Sequence, residues 1–245
     1  MSSRTLTSQL LQQARSNNEY AEAINHPFLR AAGDGTLDRS LLALWLSQDR
    51  IYAAHAYPRF IGSLIAAIPF DKYASPQSQK EEHNRRILKT LSFALENIVK
   101  EVEFFVETAR KHGFDLAMWK ERKGTRDYVA EMDSIASSRN IQEGLVFLWA
   151  MEQVYLDAWS LVRAGLQKRP FQSEGNRSAN DSPVSAFVEN WTSQEFVKFI
   201  DDLAALANAT DVEFERGTKI WERVVELEKE FWPLAGEEIH MQKDV

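Results

Sequence analysis

Asp49 and Tyr52 stand three residues apart, Glu152 and Tyr155 repeat that spacing, and Glu228 precedes Phe231-Trp232 by three. Residues three apart share one face of a helix, so each pair puts a carboxyl beside an aromatic ring. Glu152 lies among Trp149, Met151, Val154 and Trp159. A carboxylate there must be paired, protonated or open to a cavity, because an isolated buried charge is too costly. Burial raises a glutamic acid pKa toward the range useful in general acid–base chemistry. The rings add flat faces for stacking a planar ligand. Ordinary packing accounts for the same pattern, with Glu152 paired to an arginine and Tyr155 filling the core.

Other chemistries find less support. The absence of cysteine excludes disulfides, thiolate metal sites and a Cys nucleophile. Gly33-Asp34-Gly35-Thr36-Leu37-Asp38 begins like a dinucleotide loop but lacks the third glycine and a preceding strand. Di-iron bundles need two Glu-x-x-His pairs; only Glu237 to His240 has that spacing, in a polar tail after Pro233. His26 is the best placed of five scattered histidines for haem, and a structural histidine explains it more simply.

The elements that must carry these side chains are helical. Helical periodicity recurs throughout, with no convincing alternating strand. Leu6, Leu10 and Leu11 mark a first helix. Asp38 opens a second that runs past Tyr52 to about Ala67, bent at Pro58 because proline removes an intrahelical hydrogen bond. Pro76 fits the first turn of the next, which Gly113 ends. Shorter helices are expected over 114–122 and 125–137, and 141–164 is apolar on most sides, as a central buried helix should be. Residues 165–182 are polar, rich in turn formers, and read as a loop insertion. Ser182-Pro183 reads as N-cap and first helical position. Thr210-Asp211-Val212-Glu213 has capping-box spacing for a last helix reaching Pro233. The expectation is one all-α domain over 1–245, with about seven or eight helices.

With 245 residues and net charge −7 from 29 basic and 36 acidic side chains, the dispersed acidity argues against nucleic acid or a membrane surface as the main partner. The longest apolar run, around Leu64 to Phe70, is too short to span a bilayer. These features suit a soluble, cytoplasmic chain.

Four stretches carry a resemblance. They are His26-Pro27-Phe28-Leu29 with Gly35-Thr36-Leu37 and Trp45-Leu46-Ser47-Gln48-Asp49-Arg50-Ile51-Tyr52; Trp149 to Tyr155; Asn190 to Phe196; and Glu226 to Trp232. Together they resemble the TenA (thiaminase II-like) family over residues 20 to 235, in its subgroup that lacks the usual cysteine and carries Glu. The resemblance implies a haem-oxygenase-like helical fold, no resident metal or cofactor, a pyrimidine as small-molecule partner, and a homo-oligomer (dimer or tetramer). It implies hydrolysis of thiamin degradation products such as 4-amino-5-aminomethyl-2-methylpyrimidine or its formyl derivative. Asp49 matches the carboxylate that holds the pyrimidine amine, and Glu228 the catalytic glutamate. Tyr52, Tyr128 and Tyr155 match pocket tyrosines, and Trp191 lies where another pocket aromatic is found.

One departure matters. Counted without gaps from Tyr128, the family cysteine falls on Met151, with Glu152 next. A thioether cannot attack carbon as a thiolate does, so the covalent thiaminase route is excluded at this position. One step along a helix is a turn of about 100°, so Glu152 takes over only if the helix is rotated or the alignment slips. Glu152 would then activate water or attack directly. The alternative is a non-catalytic, small-ligand-binding or regulatory protein on the same fold.

Overall fold

The structure is a computed structural model that describes residues 4–169 and 181–243, and among these it is all-α. In chain order the helices are α1 (Leu6–Ala14), α2 (Asn18–Ile24), α3 (Pro27–Asp34), α4 (Arg39–Ile51), a π-helical turn (Tyr52–Ala56) and α5 (Tyr57–Ala66). There follow α6 (Gln79–His112), α7 (Lys123–Ser137), α8 (Ile141–Lys168), α9 (Asp181–Trp191), α10 (Gln194–Ala207), α11 (Phe214–Phe231) and α12 (Glu237–His240). These outnumber the seven or eight expected, because short helices divide the chain at both ends.

Helix α8 is the centre. It packs against α2, α3, α7, α9, α10 and α11, and its apolar residues from Leu145 to Met151 are buried in succession. By length and composition alone it could cross a membrane, but its apolar faces are covered by these neighbours, as in the core helix of a globular fold. The α3–α8 crossing depends on two glycines: a Cβ on Gly165 would lie 2.9 Å from the Gly33 Cα. Gly35 ends α3 at φ 73°, a left-handed conformation that glycine adopts without strain. The Gly33-Asp34-Gly35 segment is thus a packing contact and a helix end.

Side-chain caps start several helices. The Asp38 carboxylate accepts from the Ser40 and Leu41 amides at 2.7 and 3.1 Å, and the Asn140 carboxamide from those of Gln142 and Glu143 at 3.2 and 3.3 Å. Each satisfies amides that the first helical turn leaves unbonded.

Several boundaries differ from expectation. The long second helix does not simply bend at Pro58; it widens into the π turn before it, and α5 restarts with Pro58 in its first turn. Proline has no N–H and clashes with the carbonyl four residues back, and the wider turn absorbs both defects. Ser78 caps α6, accepting from Glu81 N at 3.3 Å, so Pro76 precedes that helix. Residues 114–122 are not helical. Asp115 accepts from Ala117 N, and Lys120 N donates to Met241 O at 2.7 Å beside a Trp119–Gln242 bridge. Thr210 does not cap α11; its hydroxyl turns back to Ala207 O at 2.7 Å, and Glu213 stands at the N-cap. In the expected loop, 165–168 are the last turn of α8 and 181–182 the first of α9; the rest of it lies outside the described residues.

The C-terminal end of α11 is held by a buried cation. Arg122 donates from its guanidinium to the carbonyls of Glu230, Phe231 and Trp232 at 3.1, 2.6 and 3.3 Å, and to both Glu237 oxygens at 2.6 and 2.9 Å. Its amide donates to Gln48 Oε1 at 2.8 Å, tying α4 to the same knot. Helix C-terminal carbonyls have no intrahelical partners, and a cation there also offsets the helix dipole.

Candidate functional site

Asp49, Tyr52, Tyr128, Met151, Glu152, Tyr155, Trp191 and Glu228 all line one cavity between the helices. They arrive from six places: α4 (Asp49), the π turn (Tyr52), α7 (Tyr128), α8 (Met151, Glu152, Tyr155), α9 (Trp191) and α11 (Glu228). All seven sequence-derived site residues are thus brought together. Met151 and Glu152, between which a rigid alignment would force a choice, both face this space.

Three lining residues able to hydrogen-bond escaped the sequence reading: Tyr57, Asn97 and Glu101. Glu101 had a signal that could have found it. The buried stripe of α6 runs Ile87, Leu91, Ala94, Ile98, Phe105, and Glu101 occupies the position between Ile98 and Phe105 where helical spacing calls for an apolar residue.

Among the described residues the cavity therefore holds four carboxyl groups, each with one aromatic donor. Tyr155 Oη donates to Asp49 Oδ2 at 3.0 Å, Tyr57 Oη to Glu152 Oε1 at 2.6 Å, and Tyr128 Oη to Glu228 Oε1 at 2.6 Å. Trp191 Nε1 donates to Glu101 Oε1, as does Asn190 Nδ2 at 3.3 Å. Among the described lining residues there is no Lys, Arg or His. Glu228 Oε2 is buried with no hydrogen-bond partner.

Burial dominates the electrostatics. It pushes Asp49 up to about 7, against the opposing bond from Tyr155, and the Glu152 charge adds to the rise. Glu152 is likewise raised by burial to about 7, opposed by Tyr57. Glu228 reaches about 8 through burial, less the Tyr128 bond, plus the charges of Asp49 and Glu152. Glu101 is raised well above the usual carboxylate range by burial, then by Asp49 and Glu152. Carboxyls crowded together cannot all ionise, so near neutral pH the set holds both protonated and ionised members.

The walls are rings. Tyr52, Tyr128 and Phe231 form one group with centroids 5.3 to 5.9 Å apart. Opposite in character, Tyr155 meets Trp191 edge-on at 5.0 Å and stacks on Trp232 at 5.5 Å. Such faces suit a flat heterocycle.

The other polar motifs have structural occupations. His26 caps α3, its Nδ1 accepting from Phe28 N at 3.2 Å; burial, then the Arg122 charge, lowers it to about 4. Glu237 is taken by Arg122, and His240 is exposed. Among the described residues no group of three or more His, Cys, Asp or Glu side chains could hold a metal ion.

A family model described as TENA/THI-4/PQQC matches residues 13–238. A Fusarium pseudograminearum protein named "Probable transcription factor" is 28% identical over 225 residues, 80% of this chain and 43% of its own length, so the chain spans less than half of that relative. A Glycine max protein named "Probable bifunctional TENA-E protein" is 22% identical over 88% of this chain and 87% of its own. Among solved structures, the TenA homologue PF1337 from Pyrococcus furiosus superimposes with a TM-score of 0.72 at 23% identity, covering 93% of this chain and 98% of that one. The shared architecture is the all-α, haem-oxygenase-like fold.

Proposed function

The chain belongs to the TENA/THI-4/PQQC family, and from that premise we propose that it is a thiamin-related hydrolase. Its substrate is an aminopyrimidine bearing an aminomethyl or formylaminomethyl arm. The observation that carries this reading is Glu228 Oε2, a buried carboxyl oxygen with no partner, in the lining of a ring-walled cavity that contains three more carboxyls and, among the described residues, no cationic side chain. Such a site favours a flat ligand rich in N–H donors and positive charge.

Asp49 accepts hydrogen bonds from the exocyclic amine and ring edge. Glu152, near 7, takes a proton from water as its oxygen attacks the carbon. Glu228, near 8, still holds its proton at neutral pH and gives it to a leaving nitrogen that is not already protonated. With the aminomethyl arm, a C–O bond forms at the methylene, the C–N bond breaks and ammonia leaves. With the formyl arm, water adds to the formyl carbon and formate leaves. Tyr52, Tyr128, Tyr155 and Trp191 frame the ring. Met151 falls where the resemblance expects the family cysteine, which supports reading the chain with the Glu-bearing group, with Glu152 doing the basic work.

The test is to incubate the purified protein with both pyrimidines and follow ammonia, formate and hydroxymethylpyrimidine, with Glu228→Gln as control. Turnover above the control supports the hydrolase. Tight binding with no turnover would make the protein a non-catalytic binder on the same fold.

A further inference from the structure

Glu101 has no part in the chemistry above, yet it is aimed. It stands one helical turn after Asn97 on α6, and both line the cavity. Trp191 and Asn190 both donate to its Oε1, and no described side chain bonds its Oε2. Two donors on one oxygen fix the direction of a carboxylate without neutralising it. Among the described residues no lysine, arginine or histidine lines the cavity to do so. Independently, the buried and unpartnered Glu228 Oε2 calls for a hydrogen-bonding partner from a ligand in this same space.

The carboxyls divide by neighbourhood. Glu101 feels Asp49 first and then Glu152, while Glu228 feels Asp49 and Glu152. Asp49 thus acts on both Glu101 and the proton donor. A single amidine edge satisfies Asp49. A second carboxyl beside it, only partly exposed, ionises favourably only against a second positive charge.

We propose that Glu101 is a specificity-determining carboxylate that binds a protonated amine on the arm of the heterocycle, so that the site prefers ligands with two basic groups over neutral-armed ligands of the same shape. This rests on the aminopyrimidine reading and deepens it. It also gives Asn97 a place, as a neutral acceptor one turn away for the same ammonium group.

The experiment compares 4-amino-2-methylpyrimidines carrying a 5-aminomethyl or a 5-hydroxymethyl arm. Binding is followed by tryptophan emission in rapid mixing, ahead of turnover. Glu101→Gln keeps the acceptor for Trp191 and removes only the charge. The expected result is a loss of about 10- to 100-fold in affinity for the aminomethyl compound, the scale of a hydrogen bond to a charged group, with the hydroxymethyl compound close to wild type. Equal changes in both, or none, would overturn the assignment. Should that variant fail to fold, Glu101→Asp keeps the charge at a shorter reach: a loss confined to the ammonium ligand supports the proposal, and a shared loss overturns it. If wild type binds neither compound, the aminopyrimidine reading fails and this proposal with it. If wild type binds both and the variants treat them alike, only the role of Glu101 falls.

Discussion

Tyr128 donates its hydroxyl to one oxygen of Glu228 at 2.6 Å while the other oxygen, equally buried, has no partner. One half of the carboxyl is held and the other is reserved. A purely structural glutamic acid would have both oxygens bonded, since an unsatisfied buried acceptor costs about 1–3 kcal/mol.

Glu228→Gln keeps the shape and loses the transferable proton. Turnover should fall by about 10²- to 10⁴-fold, the usual contribution of a positioned acid or base. Tyr128→Phe should cost less and raise the Glu228 pKa further, because the bond it removes favours the ionised form. A pH–rate profile whose alkaline limb stays fixed in Tyr128→Phe would separate Glu228 from the acid role.

Stability should depend on pH in the direction opposite to that of a protein held by salt bridges. The folded protein holds the Glu228 proton up to about 8, and those of Asp49 and Glu152 up to about 7, against about 4 in the unfolded chain. Protonation therefore favours the fold. This contribution is complete below the unfolded values and is lost as pH rises through 7 and 8. The Tm of the ligand-free protein should fall between about pH 5 and pH 8.5, and Glu228→Gln should flatten that slope. A Tm that climbs over this range in calorimetry would contradict the burial of these groups.

Arg122→Met removes the knot at the end of α11. It strands three carbonyls and Glu237, whose side chain keeps 30% exposure against 8% for Arg122. The expected cost is about 3 kcal/mol, the low end for breaking a buried pair, read from urea denaturation. Turnover should fall beyond the loss of folded protein, because Glu228 sits one turn before the released end.

Gly165→Ala should destabilise without touching the cavity. The new methyl would press within 2.9 Å of the Gly33 backbone, which cannot yield as a side chain does, so about 1–3 kcal/mol is expected. An unchanged melting point would mean that α3 can slide on α8.

Most of the site was legible before any coordinates, for a physical reason. Asp49, Glu152 and Glu228 interrupt strongly apolar helix faces, where a carboxyl is conspicuous. Glu101 sits in Asn97-Ile98-Val99-Lys100-Glu101-Val102-Glu103, where acidic and basic residues alternate with apolar ones, and it passes for a solvated residue unless the stripe is counted. Tyr57 was hidden by its neighbour Pro58, which draws attention to the chain break and away from the ring. The non-helical 114–122 segment is set by pairing with residues over 120 positions later, a contact that no local window contains. Thr210 misled because its hydroxyl has two targets, the helix ahead and the carbonyl behind, and local spacing does not decide between them.

The π turn at Tyr52–Ala56 separates two carboxyl-bearing contacts: Asp49 stands just before it, and Tyr57, which orients Glu152, just after. Each residue advances a helix by about 100°, so the widened turn works as a phase setting between them. A regular α-helix over the same residues would turn Tyr57 by most of a further 100° and point it away from Glu152 while Asp49 kept its aim. The irregular geometry is what lets one continuous rod of chain address two acids at two bearings.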